Sequence, residues 1–547
     1  MIASQVIDAT ALKPQVRIRS WKMIPWQHVL ECVRRLQVRI AQAWSQGLYG
    51  KVKDLQRLLV KSFYAKLLAV KRVTSNKGSK TPGVDKVIWK SPIAKLKAAT
   101  QLGNGPYKPL PLRRIHIDKK NGKKRPLGIP TMMDRSYQAL HLLALEPISE
   151  STGDKNSYGF RTCRSTADAI EQCFTVLARK SSAQYILEGD IKACFDEISH
   201  PWMQEHIPMD KYILKKMLKA GFIEKGKFHK TKVGTVQGGL ASPTIANMAL
   251  DGIEKYLQTQ FGKKIKQHKV HFIRFADDFI VTANSEELLK NEIKPSLEAF
   301  LNVRGLRLSD EKTIVTHIQQ GFTFLGQTIR KFKNKLIIKP SDKSIKSLLG
   351  KVRDICNKRK QAKTGFIITQ LNPIIRGWAN YHRHVVSSAI FSKVDHEIHQ
   401  ILWRWAKRRH PNKGSKWIKE KYFKTHKNKN WAFTSSDDGH PKYLFHASEI
   451  KIRRHIKIKQ DANPFDPKWE IYFEKRERDK LLKNSKGKMQ AHNLLEKQNN
   501  LCALCKENIP MEDPWEYHLK QYWIHGGSTQ NYNLAVVHPS CHESLHA

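Results

Sequence analysis

Apolar residues recur at helical spacing over residues 27–72. Val29-Leu30-Val33-Leu36-Ile40 and Leu55-Leu58-Leu59-Phe63-Leu67 predict amphipathic helices there. The stretch Ser75 to Asp85, rich in Gly, Pro and Lys, breaks that pattern and reads as a loop. Strands and turns dominate from Arg113 to Gly128, with Lys119-Lys120-Asn121-Gly122-Lys123-Lys124 as a hairpin turn. Mixed α/β patterning continues to about Asn334. Within it, Tyr185-Ile186-Leu187-Glu188-Gly189-Asp190 is an apolar strand that ends on an acid. Phe272-Ile273-Arg274-Phe275-Ala276-Asp277-Asp278-Phe279-Ile280-Val281 is a pair of strand-like runs joined by a tight Ala-Asp-Asp turn. Residues 335–423 read as helical and very basic. A loop-rich basic stretch containing Asn463-Pro464-Phe465-Asp466-Pro467 follows, and the chain from Cys502 onward holds three Cys and five His. There is no internal repeat and no TIM-barrel or dinucleotide fingerprint.

Composition narrows the function classes. The 547 residues carry 98 Lys and Arg against 48 Asp and Glu, a formal charge of +50. The excess is spread along nearly the whole chain, which points to a polyanion touching several domains, most simply nucleic acid. A membrane surface is the rival partner, but no segment approaches the roughly 18 consecutive apolar residues of a spanning helix, and the start of the chain lacks a signal-peptide pattern. An intracellular, cytoplasmic protein is expected. Cys32, Cys163, Cys173, Cys194 and Cys356 have no partner spacing and read as ordinary buried thiols.

Two adjacent carboxylates at a hairpin tip repel each other. An isolated Asp-Asp is commonly an ordinary turn, but a divalent metal gives the pair a reason, because hard cations take carboxylate oxygens and bridge phosphates. A nucleotidyl-transfer site needs a third acid from another strand, and Asp190 is the candidate. With Asp190, Asp277 and Asp278 converging, two Mg²⁺ could activate a primer 3′-hydroxyl and stabilise the leaving pyrophosphate. Phe195, five residues after Asp190, would lie under the nucleotide sugar and exclude a 2′-hydroxyl; core packing is its plainer explanation. Arg125 and Lys119, around the basic hairpin, suit an incoming triphosphate. Gln237-Gly238-Gly239 lets backbone approach a base pair, and Lys312 precedes the apolar Gly321-Phe322-Thr323-Phe324-Leu325-Gly326.

These segments, in this order, resemble the reverse transcriptases encoded by group II introns. The likeness rests on Thr81-Pro82-Gly83-Val84-Asp85, Arg125-Pro126-Leu127-Gly128-Ile129-Pro130, Ser157-Tyr158-Gly159-Phe160-Arg161, Gln237-Gly238-Gly239, the Asp277-Asp278 hairpin and Phe324-Leu325-Gly326. It implies a multidomain α/β architecture: right-hand polymerase fingers and palm (α+β), a helical thumb, and a small zinc-containing ββα-metal (HNH-like) tail. It also implies deoxynucleotide triphosphates, intron RNA and target DNA as substrates and partners. Phe275 stands where Tyr is usual, Val236 where Pro is usual and Ala193 where Gly is usual.

Residues 335–423, with Asn372-Pro373-Ile374-Ile375-Arg376-Gly377-Trp378-Ala379-Asn380-Tyr381 among interleaved cations, resemble the maturase or thumb domain of that family. Arg376, Trp378 and Tyr381 are candidate RNA contacts by stacking and charge, although Trp378 and Tyr381 could equally hold helices together. The expected units are an N-terminal template-binding extension (1–85), fingers and palm (86–334), thumb (335–423), a basic DNA-binding linker (424–490) and the tail (491–547).

In the tail, Cys502, Cys505, His538 and Cys541 have the spacing of a structural zinc site. His518, Asn533, His542 and His546 match the pattern of HNH nucleases, which implies that the three His hold a catalytic divalent metal and that Asn533 braces a loop. The pattern departs at one residue. Leu519 follows His518 where the family carries a second His as general base, and leucine cannot accept a proton, a loss worth about 10²–10⁴ in rate. His525 is a substitute that no spacing supports. Metal binding is therefore expected, cleavage is in question, and DNA binding or a structural role is the alternative. The leading function is an intron-encoded reverse transcriptase and maturase that supports intron mobility. The rivals are an RNA-binding splicing factor with a decayed polymerase and a domesticated reverse transcriptase.

Overall fold

A computed structural model describes residues 20–118, 122, 124–436, 440–482, 485–509, 515–522, 527 and 530–546, with the backbone alone at 480–482, 485–488 and 546. Helices Trp26–Ser45, Tyr49–Lys61 and Phe63–Thr74 bury the predicted stripes, including Val29, Val33, Leu36, Ile40, Leu55, Leu59 and Leu67. They pack on Met132–Thr152, a helix buried along most of its length even at Asp134, Arg135 and Gln138. Its buried polar residues are satisfied by neighbouring segments. Thr131 caps its start by accepting from Asp134 N–H. Arg135 donates to the carbonyls of Gly78 (2.9 Å) and Thr81 (2.6 Å), fixing the Ser75–Asp85 loop against this core.

In the unit expected to hold fingers and palm, one sheet, labelled the fingers sheet, runs in the order Lys124–Ile129, Leu112–Asp118, Phe222–Glu224, Lys227–His229. A second, labelled the palm sheet, is fully antiparallel, ordered His271–Phe275, Asp278–Ala283, Tyr185–Asp190, Ile314–His317. On one face of the palm sheet Leu187, Phe279 and Val281 join the same large core as the Leu288–Ile293 segment, which packs on these strands, and the N-terminal helices. Ile186, Ile273 and Ile280 point the other way, into a core with Phe322, Phe324, Ile329 and Ile458. This two-sided burial explains why both runs of the Asp-Asp hairpin are almost continuously apolar.

Two stretches differ from the sequence expectation. Lys335–Pro340, read as the start of the helical thumb, is a strand paired with Gln327–Phe332, and the first thumb helix begins at Asp342. Leu336, Ile338 and Pro340 alternate inward, a two-residue period hidden by the helical pattern that follows. The second stretch begins at 424, expected to be loop. Phe423–His426, Lys429–Ser435 and Lys442–Tyr443 form a three-stranded sheet, and Phe423, Phe433, Leu444 and Ala447 share the core of thumb helices Asp342–Lys358, Thr364–His382 and Ser388–Arg409.

From Ile450 to Phe465 an irregular strap returns across the palm. Its anchor is Asp168, the capping-box acid of helix Thr166–Leu177 and wholly buried. Asp168 Oδ2 accepts from Ser165 N–H and hydroxyl, while Oδ1 accepts from Ile458 N–H (2.7 Å), Arg476 (2.8 Å) and His455 (2.9 Å). Farther along, Arg34 of the first helix lies over the Phe465 ring. Helices Glu470–Leu482 and Ser485–Lys497 lead to strands Glu516–Leu519 and Leu534–Val537, paired antiparallel, and then to helix Pro539–His546.

Candidate functional site

Sheet register sets two of the three expected acids side by side, and the hairpin turn adds the third. Asp190, at the end of its strand, pairs directly with Asp278, which also pairs with Phe275 across the hairpin. Ala276 takes a φ of 59° in the turn, and Asp277 follows it. The turn is held from below by Arg274, whose fully buried guanidinium ion-pairs with Asp251 and donates to Asn247 Oδ1 (3.1 Å) and the Ala276 carbonyl (3.3 Å). A charged residue inside an otherwise apolar strand was the signal for this support, and sequence reasoning passed over it.

The Ser157–Arg161 motif is the second support. Tyr158 N–H donates to the Arg274 carbonyl and Arg274 N–H donates to Asn156, both at 2.9 Å, so this segment adds to the sheet edge beside the turn. A Cβ on Gly159 would sit 2.4 Å from Ala276 N, so only glycine allows this approach. Arg161 folds back onto Glu150 in a buried pair at 2.9 Å.

Charge at the site is unbalanced toward negative. Burial, then Asp277 and Asp190, raise the Asp278 carboxyl to about 6. Asp277 is also raised, by burial and Asp190, against the opposing charges of Arg125 and Lys312. Lys312 donates to Asp190 Oδ2 at 2.6 Å. It is delivered there by a turn in which Ser309 N–H donates to the Asp190 carbonyl and Lys312 N–H donates to Ser309. Asp190 and Asp278 in register, with Asp277 in the adjoining turn and the last two raised by burial and mutual repulsion, are carboxylates of the kind a hard divalent cation takes. Asp190, Asp277 and Asp278 would hold Mg²⁺, which supplies charge neutralisation for a triphosphate and acidifies an attacking hydroxyl.

The remaining predicted residues surround this centre. Phe195 lies half-buried in the short helix Cys194–Glu197, edge-on to Phe160 at 6.4 Å between ring centres. The preceding Ala193 has φ 45°, which explains why glycine is usual there. Gln237 donates to Asp196 Oδ2 at 3.1 Å, and its carbonyl accepts from Gly128 N–H at 2.8 Å. Gly238, at φ 108°, presses on the Gly128 carbonyl, where a Cβ would come within 2.7 Å. The Lys124–Ile129 strand and the Gln-Gly-Gly turn are therefore one locked unit. Arg125 is exposed on that strand; Lys119 lies outside the described residues.

In the thumb, Trp378 Nε1 donates to Ser344 (3.0 Å), and the Tyr381 hydroxyl donates to the Leu325 carbonyl (2.8 Å) in the Phe-Leu-Gly loop. Arg376 lies 4.7 Å over the Phe445 ring. All three residues hold protein to protein.

The tail contains two groups of possible metal donors. Cys502, Cys505, His538 and Cys541 bring their donor atoms within 4.8 Å of one another. Burial raises the Cys502 thiol, but main-chain N–H groups of His538, Cys505 and Leu504 outweigh it and bring the thiol down to about 6, toward the thiolate that zinc takes. His518 and His542 also converge, with ring centres 5.5 Å apart. Asn533, wholly buried, exchanges two 2.9 Å hydrogen bonds with the Gln521 backbone and so braces the segment after the His518 strand. The side chain of His546 and the whole of His525 lie outside the described residues. Leu519 is buried in the tail core. Glu474 of helix Glu470–Leu482, which no motif marked, stands 3.4 Å from a ring nitrogen of each His.

Comparison with known proteins agrees with the polymerase geometry. Residues 117–329 match a family described as reverse transcriptase (RNA-dependent DNA polymerase), residues 21–102 the N-terminal domain of reverse transcriptase, and residues 345–423 the group II intron maturase-specific domain. Protein YkfC of Escherichia coli is 33% identical over 322 residues, covering 51% of this chain and 83% of that protein. Group II intron-encoded protein LtrA of Lactococcus lactis is 32% identical over 48% of this chain and 54% of that one. The putative COX1/OXI3 intron 1 protein of Saccharomyces cerevisiae is 28% identical over 48% and 38%. The chain thus spans most of the first relative and about half or less of the other two. A solved telomerase structure from Candida albicans is a looser likeness, with a TM-score of 0.33 at 13% identity over 57% of this chain and 66% of that one. Among the described residues no helix is long and apolar enough to cross a membrane. With its acids in register and its maturase-specific domain following the palm, the chain belongs to the group II intron reverse transcriptase/maturase family, whose enzymes are RNA-directed DNA polymerases.

Proposed function

We propose that this protein binds the RNA of its own intron, assists its splicing as a maturase, and then copies that RNA into DNA from a primer at a DNA target. The observation that carries the reading is the direct pairing of Asp190 with Asp278 beside Asp277 and Lys312. A protein that had become a pure splicing factor would have no reason to keep three mutually repelling acids. Deoxynucleotide triphosphates are the substrates, with Phe195, Gln237, Arg125 and Lys119 around the incoming nucleotide. Zinc at Cys502, Cys505, His538 and Cys541 gives the small tail its fold. The tail then contacts target DNA; strand cleavage is not part of the proposal, because Leu519 leaves the HNH-like pattern without its general base. The intron RNA is bound across the strongly basic thumb, and the protein works in the bacterial or organellar interior where that RNA and the target DNA meet.

Extension of an annealed DNA primer on an RNA template in Mg²⁺, with Asp277→Ala as control, tests the polymerase. Wild-type extension abolished by the substitution supports it. Absence of extension alongside retained RNA binding would leave a splicing factor. Sequencing RNA that copurifies with the protein identifies the intron.

A further inference from the structure

The tail reads as metal-binding, and on that reading we infer that its second metal centre takes a carboxylate from outside the tail. Glu474, His518 and His542 form a His₂Glu site for a divalent cation, and this site staples helix Glu470–Leu482 to the ββα unit.

The distances match such a site. Glu474 Oε1 is 3.4 Å from His518 Nδ1 and 3.4 Å from His542 Nε2. Donors about 2.1 Å from a tetrahedral ion stand about 3.4 Å from one another. All three residues are buried, and their donor atoms lie within 4.8 Å of each other. The outer contacts also have the form of a metal centre. His542 directs Nε2 at the site while its Nδ1 meets Glu516 Oε2 at 2.8 Å, the carboxylate–histidine arrangement that orients a ligating imidazole. Arg478 of the same helix as Glu474 ion-pairs with that Glu516 oxygen. Leu519 N–H donates to Glu474 Oε1 at 2.9 Å, so the residue beside His518 fixes the carboxylate as well.

A His₂Glu donor set leaves one tetrahedral position open. Here the carboxylate belongs to the linker helix. Bound metal would therefore hold tail and linker together, and an anionic phosphate entering the site would meet Glu474 already at the ion. The tail's orientation, rather than cleavage, is what this centre controls.

The test uses the full-length protein, stripped with chelator and reloaded with Co²⁺. Thiolate–cobalt charge-transfer absorption reports the Cys₃His site, and, with excess Mg²⁺ present to fill the Asp190, Asp277 and Asp278 centre, total bound cobalt reports both tail sites. Wild type is expected to bind two equivalents. Glu474→Gln is expected to bind one while keeping the thiolate absorption, which also shows that its tail remains folded. Glu516→Gln, which leaves all three ligands in place, should weaken only the second equivalent by about 10–100-fold. A single equivalent in wild type would overturn the inference, leaving Glu474 as a buried acid between two imidazole rings. Two equivalents bound as tightly in Glu474→Gln would overturn it too. If Glu474→Gln loses both equivalents, Glu516→Gln decides: selective weakening supports the site, and unchanged affinity overturns it.

Discussion

Asp190 and Asp278 stand opposite each other in register on neighbouring antiparallel strands, and burial together with Asp277 and Asp190 raises the Asp278 carboxyl to about 6. The fold therefore favours the protonated form of Asp278. The stability this gives is fully present below the ordinary value of 3.8 and is lost as pH rises through about 6. In chelator, the thermal midpoint of the wild type should fall across that window, and Asp278→Asn should flatten the fall. The same substitution should abolish primer extension. Wild-type extension in Mg²⁺ should fall on acidification, because the ionised carboxylate is the form that binds the cation, and more Mg²⁺ should move that fall to lower pH. Thermal scans and extension assays on one buffer series check both trends.

Gly159 tests whether the turn is positioned from outside the palm. A Cβ there would lie 2.4 Å from Ala276 N, a backbone atom that cannot move without the Asp-Asp turn. Gly159→Ala should cost about 1–3 kcal/mol, as overpacking does. Its larger effect should be on catalysis, since small displacements of reacting groups can cost about 10²-fold. Urea unfolding and single-turnover extension separate the two losses. A variant destabilised but fully active would show the contact to be structural only.

Much of this centre was legible because its residues lie on strands with clear apolar runs and fixed turns. Asp190, Asp277, Asp278, Gln237 and Lys312 each sit next to a local signal; the structure sets Asp190 against Asp278 beside Asp277, puts Lys312 on Asp190, and puts Gln237 on Asp196. What was not legible depends on partners distant in sequence. Arg274 is explained by Asp251 and Asn247 from other elements, and Glu474 by two His more than forty residues away. The strand Lys335–Pro340 was hidden because a hairpin of six-residue arms carries little periodicity beside the long helix that follows. The thumb sheet at 423–443 was hidden by lysines, which sit on its exposed positions while Ala432, Phe433 and Thr434 turn inward.

Ala193 predicts a gain. Its φ of 45° lies in the left-handed region, where a Cβ costs about 1–2 kcal/mol and glycine costs little. Glycine also widens the unfolded ensemble, so the net stabilisation from Ala193→Gly should be below about 1 kcal/mol. The thermal midpoint should rise slightly. Extension should be retained, because Phe195 and Asp196 keep their contacts with the Thr235 and Gln237 segment.

Asp168 is the hinge pin of the strap, and its removal should free the linker without touching the polymerase acids. Burial would raise this carboxyl, but hydrogen bonds from His455 and Ser165 and the charges of His455 and Arg476 hold it far below the ordinary range. Its contribution is therefore present above the ordinary carboxylate value of 3.8 and is lost only on acidification below it. Asp168→Ala leaves Arg476 buried without its carboxylate, and breaking such a pair costs about 3–5 kcal/mol. The loss should appear first in the strap, whose other fixings are mostly single side-chain contacts, among them Arg164 to Gln460, Lys457 to Gln172, Lys155 to Asp461 and Arg34 over Phe465, and not a continuous ladder like that of the palm sheet. Near neutral pH, trypsin should cut faster at Lys451, Arg453, Arg454 and Lys457 in the variant, while cleavage within 185–283 stays slow. Primer extension on a short template should survive. Equal protease resistance in both proteins would mean that the strap is held elsewhere.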